Sequence, residues 1–129
     1  MKDAIAATGV WQDTAGVPGA IRQTLATRAG FDDVVRVLRD EGTRRIVASG
    51  NGASYHVAHA LWLASLYGPS PVEVVGVPAG MLCDGAFAWR PGDVLLAISS
   101  SGEFRDLMDA IDDRRRPGPC VAISGNAGA

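Results

Sequence analysis

The run Val94-Leu95-Leu96-Ala97-Ile98 is the feature that most restricts what this chain can fold into. Its residues are all apolar and show no polar alternation, so a strand formed by them is expected to be covered on both faces. Strands covered on both faces are typical of parallel sheets, whose crossover helices pack on either side. The run therefore predicts a parallel sheet with helices on both of its faces.

Other segments of the chain fit the same architecture. Further strands are predicted at 46–48, 72–77 and 120–123. A helix at 54–67 is apolar nearly all round, which predicts burial on more than one side. A second helix carries one apolar stripe formed by Phe104, Leu107, Met108 and Ile111. Strand, helix and strand in succession, occurring twice, predict an α/β fold: a doubly wound three-layer αβα sandwich.

The segment before the sheet is predicted to be helical and to belong to the same single domain, with a lead-in at 1–42 and the core at 43–129. Residues 1–17 show little periodicity, and a helix is predicted to have Pro18 in its first turn and to end at Gly30. Asp32 and Asp33 are expected to open a second helix, which Gly42 ends. Because no helix follows the fourth strand, we expect a sheet that is incomplete at its C-terminal end, in a truncated chain or one completed by a partner.

Composition excludes several classes of protein. The chain has 129 residues and a net charge of −2, which argues against binding to nucleic acid. It has neither an apolar run long enough for a membrane span nor a signal peptide, so a cytoplasmic location without membrane contact is expected. Cys83 and Cys120 form no CxxC motif, so neither a disulfide framework nor a zinc site is indicated.

Two Gly/Ser loops are the candidates for a ligand-binding site. One runs from Ser49 to Ser54 and the other from Ser99 to Glu103, and each joins a predicted strand to a helix N-terminus. Ligands of open α/β sheets bind at the carboxyl ends of the strands, where helix N-termini favour anions. Glycines allow close approach of the backbone, and serine hydroxyls donate to phosphate oxygens. The pair of loops predicts a phosphate site, although each loop alone is more typical of ordinary capping and turn residues.

Sharper motifs match only in part. Gly50 and Gly52 begin a dinucleotide fingerprint, but Tyr55 occupies the position of the third glycine. His56 likewise replaces the last glycine of a nucleophile elbow. His56 and His59 could share a helix face, yet no third ligand accompanies them, so no metal is predicted. His56 and Glu103 are the candidates for an acid/base group.

The two loops resemble those of the SIS (sugar isomerase) domain family. The resemblance rests on Ile46-Val47-Ala48-Ser49-Gly50-Asn51-Gly52-Ala53-Ser54-Tyr55 and, further on, Leu96-Ala97-Ile98-Ser99-Ser100-Ser101-Gly102-Glu103. It runs from about residue 17 to the C-terminus and is similar to the isomerase domain of glucosamine-6-phosphate synthase and to related phosphosugar isomerases and deaminases. It implies a flavodoxin-like fold that binds a sugar phosphate, needs no cofactor and forms a homodimer or higher homo-oligomer.

The resemblance also implies roles for individual residues. The phosphate would be held by Ser54, Ser99, Ser100 and Ser101, with the loop glycines Gly50, Gly52 and Gly102. Two positions depart from the family pattern, because Ala53 and Phe104 stand where hydroxyl residues are common. The catalytic base of the family comes largely from the second half of the domain or a neighbouring subunit, so it is expected beyond Ala129 or on another subunit.

Three functions remain open from the sequence. The first is phosphosugar binding as part of an aldose–ketose isomerase or an amino-sugar-phosphate deaminase. The second is a sugar-phosphate-sensing module without catalysis, such as the effector domain of a regulator. The third is a dinucleotide-binding domain.

Overall fold

A computed structural model of the protein describes residues 8–27 and 30–125, which fall into two compact units. One unit reaches to Asp33 and the other begins at Val34. No helix in the described ranges is long and apolar enough to cross a membrane.

The first unit contains the helix α1 (Gly9–Ala26). The Thr8 side chain caps it by accepting a hydrogen bond from the Trp11 N–H. Our placement of Pro18 in a first helical turn was wrong, because the helix has already begun at Gly9 and Pro18 lies in its interior. An interior proline removes one N–H donor from the helix, and its ring crowds the carbonyl of the residue four positions earlier. Large apolar side chains of α1 are exposed, namely Val10, Trp11, Val17, Ile21 and Leu25.

The helix α2 (Phe31–Leu38) leads into the second unit. Asp32 and Asp33 lie in its first turn, as predicted, where they complement the positive end of the helix dipole. The predicted end at Gly42 was too late, since the helix stops at Leu38. Gly42 lies in the following turn and donates its N–H to Asp40 Oδ1 at 2.8 Å.

The second unit is built on the predicted parallel sheet of four strands, in the order β2-β1-β3-β4. The strands are β1 (Arg45–Gly50), β2 (Glu73–Pro78), β3 (Asp93–Ser99) and β4 (Cys120–Ser124). All three neighbouring pairs are parallel. Every residue of β3 is buried, as its unbroken apolar run predicted.

Helices cover both faces of this sheet. On one face lie α2 and α3 (Ala53–Tyr67), and on the other lie α4 (Ala79–Cys83) and α5 (Arg105–Asp112). Alternate residues of β1 enter the two cores, with Val47 on the α4/α5 side and Ala48 on the α2/α3 side. The predicted three-layer αβα fold is therefore confirmed. The short helix α4 was not predicted, because five residues are too few to display helical periodicity.

The prediction that α3 is buried on more than one side was wrong. Only Ser54 and Ala58 of this helix are buried, and the large apolar side chains on its outer surface are exposed. One face packs on the sheet, while the large side chains of the other face are not buried by the residues 34–125 that the structure describes. The exposed apolar residues, here called the α3 outer face, are Val57, Leu61, Leu63, Leu66 and Tyr67.

A buried ion pair joins the amino ends of the two central strands. Arg45 Nε lies 2.9 Å from Asp93 Oδ1, and Arg45 Nη2 lies 2.6 Å from Asp93 Oδ2. The two residues are direct neighbours in the sheet, and both side chains are nearly inaccessible to solvent. Hydrogen bonding to Asp93 raises the pKa of the Arg45 guanidinium. The pair also holds the β2–β3 connection, since Arg45 donates to the Ala88 carbonyl and lies over the Phe87 ring.

The same connection is tied to the end of α5 through Asp113. Its carboxylate accepts hydrogen bonds from Arg115 at 2.8–3.1 Å and from Trp89 Nε1 at 3.2 Å. The hydrogen bonds from Arg115 lower the pKa of Asp113 from 3.8 to about 2. This carboxylate is therefore more stable as an anion in the folded protein than in the unfolded chain.

Removing one partner of the buried pair should destabilise the protein strongly. Asp93→Ala leaves a buried, unpaired guanidinium, and we expect the free energy of unfolding to fall by about 3–5 kcal/mol in urea denaturation. The control is Asp109→Ala on the exposed surface of α5, which should change stability by less than about 0.5 kcal/mol. Equal losses in the two variants would contradict a special role for the pair.

Stability should also depend on pH through Asp113. Because its folded pKa of about 2 lies below 3.8, its contribution is present above pH 4 and is lost as the pH falls toward 2. Since the Arg115 side chain is half exposed, solvent screening reduces the contribution to on the order of 1 kcal/mol. Asp113→Asn should therefore lower stability at pH 6 and flatten its decline between pH 4 and 2. Parallel pH profiles for wild type and variant would refute this assignment.

Candidate functional site

The order of the strands places the two Gly/Ser loops side by side. From β1 the chain crosses to β2 on one side, and from β3 it crosses to β4 on the other. The crevice between β1 and β3 is therefore a topological switch point, where open α/β sheets bind their ligands. The loops at 50–54 and 99–104 leave the sheet at this point. The structure thus brings both predicted loops to one edge of the sheet.

The first loop is shaped by two glycines. A Cβ on Gly50 would lie 2.7 Å from the Ile98 carbonyl oxygen and 2.8 Å from the Ser54 Cβ. Only glycine therefore allows the end of β1 to pack this closely on β3 and α3. Gly52 has a φ of +53° and forms the N-cap of α3, where it provides no side-chain oxygen to cap the helix.

Ser54 lies in the first turn of α3 and is 9% exposed. The residues of this turn, all of them described in the structure, include no acidic side chain. The positive end of the α3 dipole is therefore not neutralised from within the helix, which makes this end of the helix favourable for an anion.

The second loop folds back on itself through its serines. Ser99 Oγ accepts a hydrogen bond from the Gly102 N–H at 2.8 Å, and Ser101 Oγ accepts one from the Glu103 N–H at 3.3 Å. Gly102 has a φ of +77°, which glycine adopts without strain. Ser99 is 6% exposed, whereas Ser100 is exposed to solvent. The predicted serines therefore lie together but in different environments, and the Ser99 and Ser101 hydroxyl oxygens already accept hydrogen bonds.

Sequence reasoning missed the contribution of the end of β4 to this edge. The Gly125 N–H donates to the Ser99 carbonyl at 3.3 Å, and a Cβ on Gly125 would lie 2.9 Å from the Ser100 carbonyl oxygen. Ser124 is the direct neighbour of Ser99 in the sheet. The Ser124-Gly125 pair repeats the composition of the other two loops, and that likeness was the signal available in the sequence.

Charges around the second loop differ from those around the first. Asp106 lies in the first turn of α5 and complements the positive end of that helix, and Glu103 lies two residues before the helix begins. Arg105, the first residue of α5, is exposed and is the cation nearest to the loop along the chain. An anion is consequently better accommodated at the start of α3 than at the start of α5.

The candidate acid/base residues lie on the surface of the protein. His56 and Glu103 are both exposed. His59 is half-buried in an aromatic row along α3, with its ring 5.0 Å from that of Trp62 and 6.1 Å from that of Tyr55. Within residues 8–27 and 30–125, no group of three His, Cys, Asp or Glu side chains is placed to hold a metal ion.

A cavity of 210 Å³ lies beside the second loop, between α5 and the strands β3 and β4. Ser99, Gly102 and Ser124 line its polar end, and Leu107, Met108 and Ile111 line its apolar end. Larger cavities of 390 and 730 Å³ lie at the opposite, amino-terminal end of the strands. Since ligands of this fold class bind at the carboxyl ends, the switch point and not the larger cavities is the candidate site.

Comparison with known proteins places the chain by structure and not by sequence. No family model matches the sequence, and no curated protein matches it at a significant level. Solved structures do match. One is tagatose-6-phosphate ketose/aldose isomerase from Escherichia coli, with a TM-score of 0.72 and 22% identity over 94% of this chain.

Two further structures match over most of the chain. A protein from Salmonella typhimurium LT2 assigned as sugar-binding has a TM-score of 0.65 and 24% identity over 92% of this chain. A protein from Silicibacter pomeroyi DSS-3 assigned as a phosphosugar isomerase has a TM-score of 0.60 and 22% identity over 88%. This chain spans only 35–37% of the length of these three proteins.

These matches define the fold. The chain has an αβα fold with a parallel sheet that opens at a switch point between β1 and β3. More particularly, its fold is the SIS type found in phosphosugar isomerases, which confirms the resemblance drawn from the two serine loops.

Proposed function

We propose that this chain binds a sugar phosphate as part of an aldose–ketose isomerase or an amino-sugar-phosphate deaminase or isomerase. The observation that carries the proposal is the meeting of two Gly/Ser loops at the switch point of the sheet. Two of the structural neighbours, described as phosphosugar isomerases, support the same ligand class.

In this proposal the phosphate binds at the start of α3. Ser54 is buried in the first turn of that helix, and its N-terminus has no acidic competitor. The loop Ser99–Ser101 lies across the switch point and contributes hydroxyl donors, because a serine whose oxygen accepts a bond can still donate its own hydrogen. The sugar would then extend from the phosphate along the carboxyl edge of the sheet.

The isomerase reaction moves a proton between adjacent carbons of the opened sugar. His56 and Glu103 are exposed and remain the candidate acid/base groups of this chain. Because the chain spans about a third of the length of its structural neighbours, we propose that the principal base belongs to a part of the enzyme outside this sequence or to a second subunit.

A sugar-phosphate sensor without catalysis is the second candidate, and Phe104 favours it. This residue is the N-cap of α5, is 46% exposed and has no polar group to offer a ligand. A site that only recognises its ligand has less need of a polar group at that position. Turnover of a sugar phosphate by the full-length protein would exclude the sensor.

The proposed ligand class can be tested by thermal unfolding with a panel of hexose, hexosamine and pentose phosphates, the unphosphorylated sugars, and NAD. A ligand at a hundred times its Kd should stabilise the fold by about 2.7 kcal/mol and raise Tm by several degrees. Ser101→Ala should weaken binding of the active sugar phosphate by about 1–3 kcal/mol. Ser70→Ala, in the connection before β2, is the matched control and should bind normally. A shift with NAD alone would reject the proposal.

We also propose that the protein associates with itself through the α3 outer face. Leu66 is 63% exposed and Tyr67 is 90% exposed, although both are large and apolar in character. Several large apolar side chains exposed on one helix are typical of a surface that another subunit covers.

If the protein associates through the α3 outer face, a charge introduced there should weaken the association. Leu66→Glu should raise the dissociation constant of the oligomer at least tenfold in sedimentation equilibrium, because the carboxylate would be buried without a partner. The control Arg114→Glu makes an exposed loop more acidic without removing apolar surface and should leave association unchanged. A wild-type protein that stays monomeric at high concentration would overturn this proposal.

A further inference from the structure

The hydroxyl group of Ser49 is buried without a hydrogen-bond partner. In the part of the chain that the structure describes, Ser49 Oγ and Arg116 Nε are the buried side-chain polar atoms that lack a hydrogen-bond partner. Arg116 satisfies its other nitrogens, with bonds to the carbonyls of Ile111 and Gly118. Ser49 has no other side-chain polar atom, and the residue is 0% exposed.

The position of this hydroxyl coincides with the candidate site. Ser49 is the penultimate residue of β1, directly before Gly50, and so lies at the carboxyl end of the strand. It pairs with Ala97 on β3, two residues before Ser99. Because side chains alternate along a strand, Ser49 lies on the same side of the sheet as Val47, the side covered by α4 and α5.

An unpartnered hydroxyl in this place weakens the free protein. Its strand neighbours on either side, Val77 and Ala97, are apolar and buried, so a methyl group would fit the surroundings better. Burial of a hydroxyl without a partner is unfavourable, whereas its replacement by an apolar group is neutral or stabilising. Buried polar groups without a partner are rare in folded proteins, and departures of this kind are expected mainly at functional or strained sites.

We propose that Ser49 is a further ligand-binding residue, whose hydroxyl bonds a hydroxyl or carbonyl oxygen of the sugar. This inference rests on the proposed function. The phosphate position at the start of α3 lies on the opposite side of the sheet, since Ala58 of α3 packs in the α2/α3 core. The part of the ligand that reaches Ser49 is therefore its uncharged sugar.

The ligand must displace part of the cover to reach this hydroxyl. Ala79, the first residue of α4, packs in the same core as Val47 and Ala97. The helix α4 has five residues and begins directly after Pro78, the sheet neighbour of Gly50. The short helix α4 therefore begins beside this end of β1 and forms part of the cover on the α4/α5 side.

The test combines stability and binding in one variant. Ser49→Ala removes one oxygen atom, and without ligand its Tm should be unchanged or up to about 4 °C higher than that of the wild type. By calorimetry its affinity for fructose 6-phosphate or glucosamine 6-phosphate should fall at least fivefold, while its affinity for inorganic phosphate should stay the same. The control Ser65→Ala removes a hydroxyl that donates to the Trp62 carbonyl on α3, and it should leave sugar-phosphate affinity unchanged.

The possible results separate this inference from the proposed function. A clear fall in the Tm of Ser49→Ala would show that the hydroxyl has a partner in the free protein and would overturn the inference. Unchanged sugar-phosphate affinity would remove Ser49 from the site and leave the proposed function intact. A wild-type protein that binds neither sugar phosphate nor inorganic phosphate would overturn both.

Discussion

The pairing of β1 with β3 is the constraint on which the rest of the structure depends. At the amino ends of the strands, the buried Arg45–Asp93 ion pair joins them, and Arg45 also holds the β2–β3 connection through the Ala88 carbonyl and the Phe87 ring. At the carboxyl ends, Gly50 permits the backbone of β1 to approach the Ile98 carbonyl of β3. Because these two strands are adjacent although β2 separates them in sequence, the switch point forms between them.

Polarity is distributed unequally between the two ends of the sheet. The amino end satisfies its charges internally, with Arg45, Asp93 and Asp113 all engaged in bonds to protein groups. The carboxyl end contains neutral serines and glycines, one unpartnered hydroxyl at Ser49, and a helix start without an acidic residue. Unsatisfied polar groups lower stability, and in folded proteins departures of this kind are expected mainly at functional or strained sites.

The elements that the sequence predicted well are those determined by the polarity of a few consecutive side chains. The uniformly apolar run at 94–98 indicated a strand covered on both faces, and β3 is buried throughout. The stripe at 104–111 is confirmed in part, since Leu107 is buried and Ile111 is partly buried, whereas Phe104 and Met108 are exposed. The helix start near Pro18 was predicted wrongly, because proline favours a first turn and is unfavourable inside a helix, yet here the helix begins at Gly9 and continues through Pro18. The burial of α3 was overestimated. The apolar composition of a helix shows that its side chains favour burial, but it does not show whether another element packs on them.

By itself the sequence determined the α/β class, the two serine loops and their junctions with helices, because these follow from side-chain polarity along a few consecutive residues. Only the tertiary structure decided which strands are neighbours, and therefore that the two loops meet at one switch point. It alone placed Arg45 against Asp93 and left Ser49 buried without a partner. Such contacts join residues far apart in the chain, and their burial depends on all the elements that surround them, so no local pattern records them.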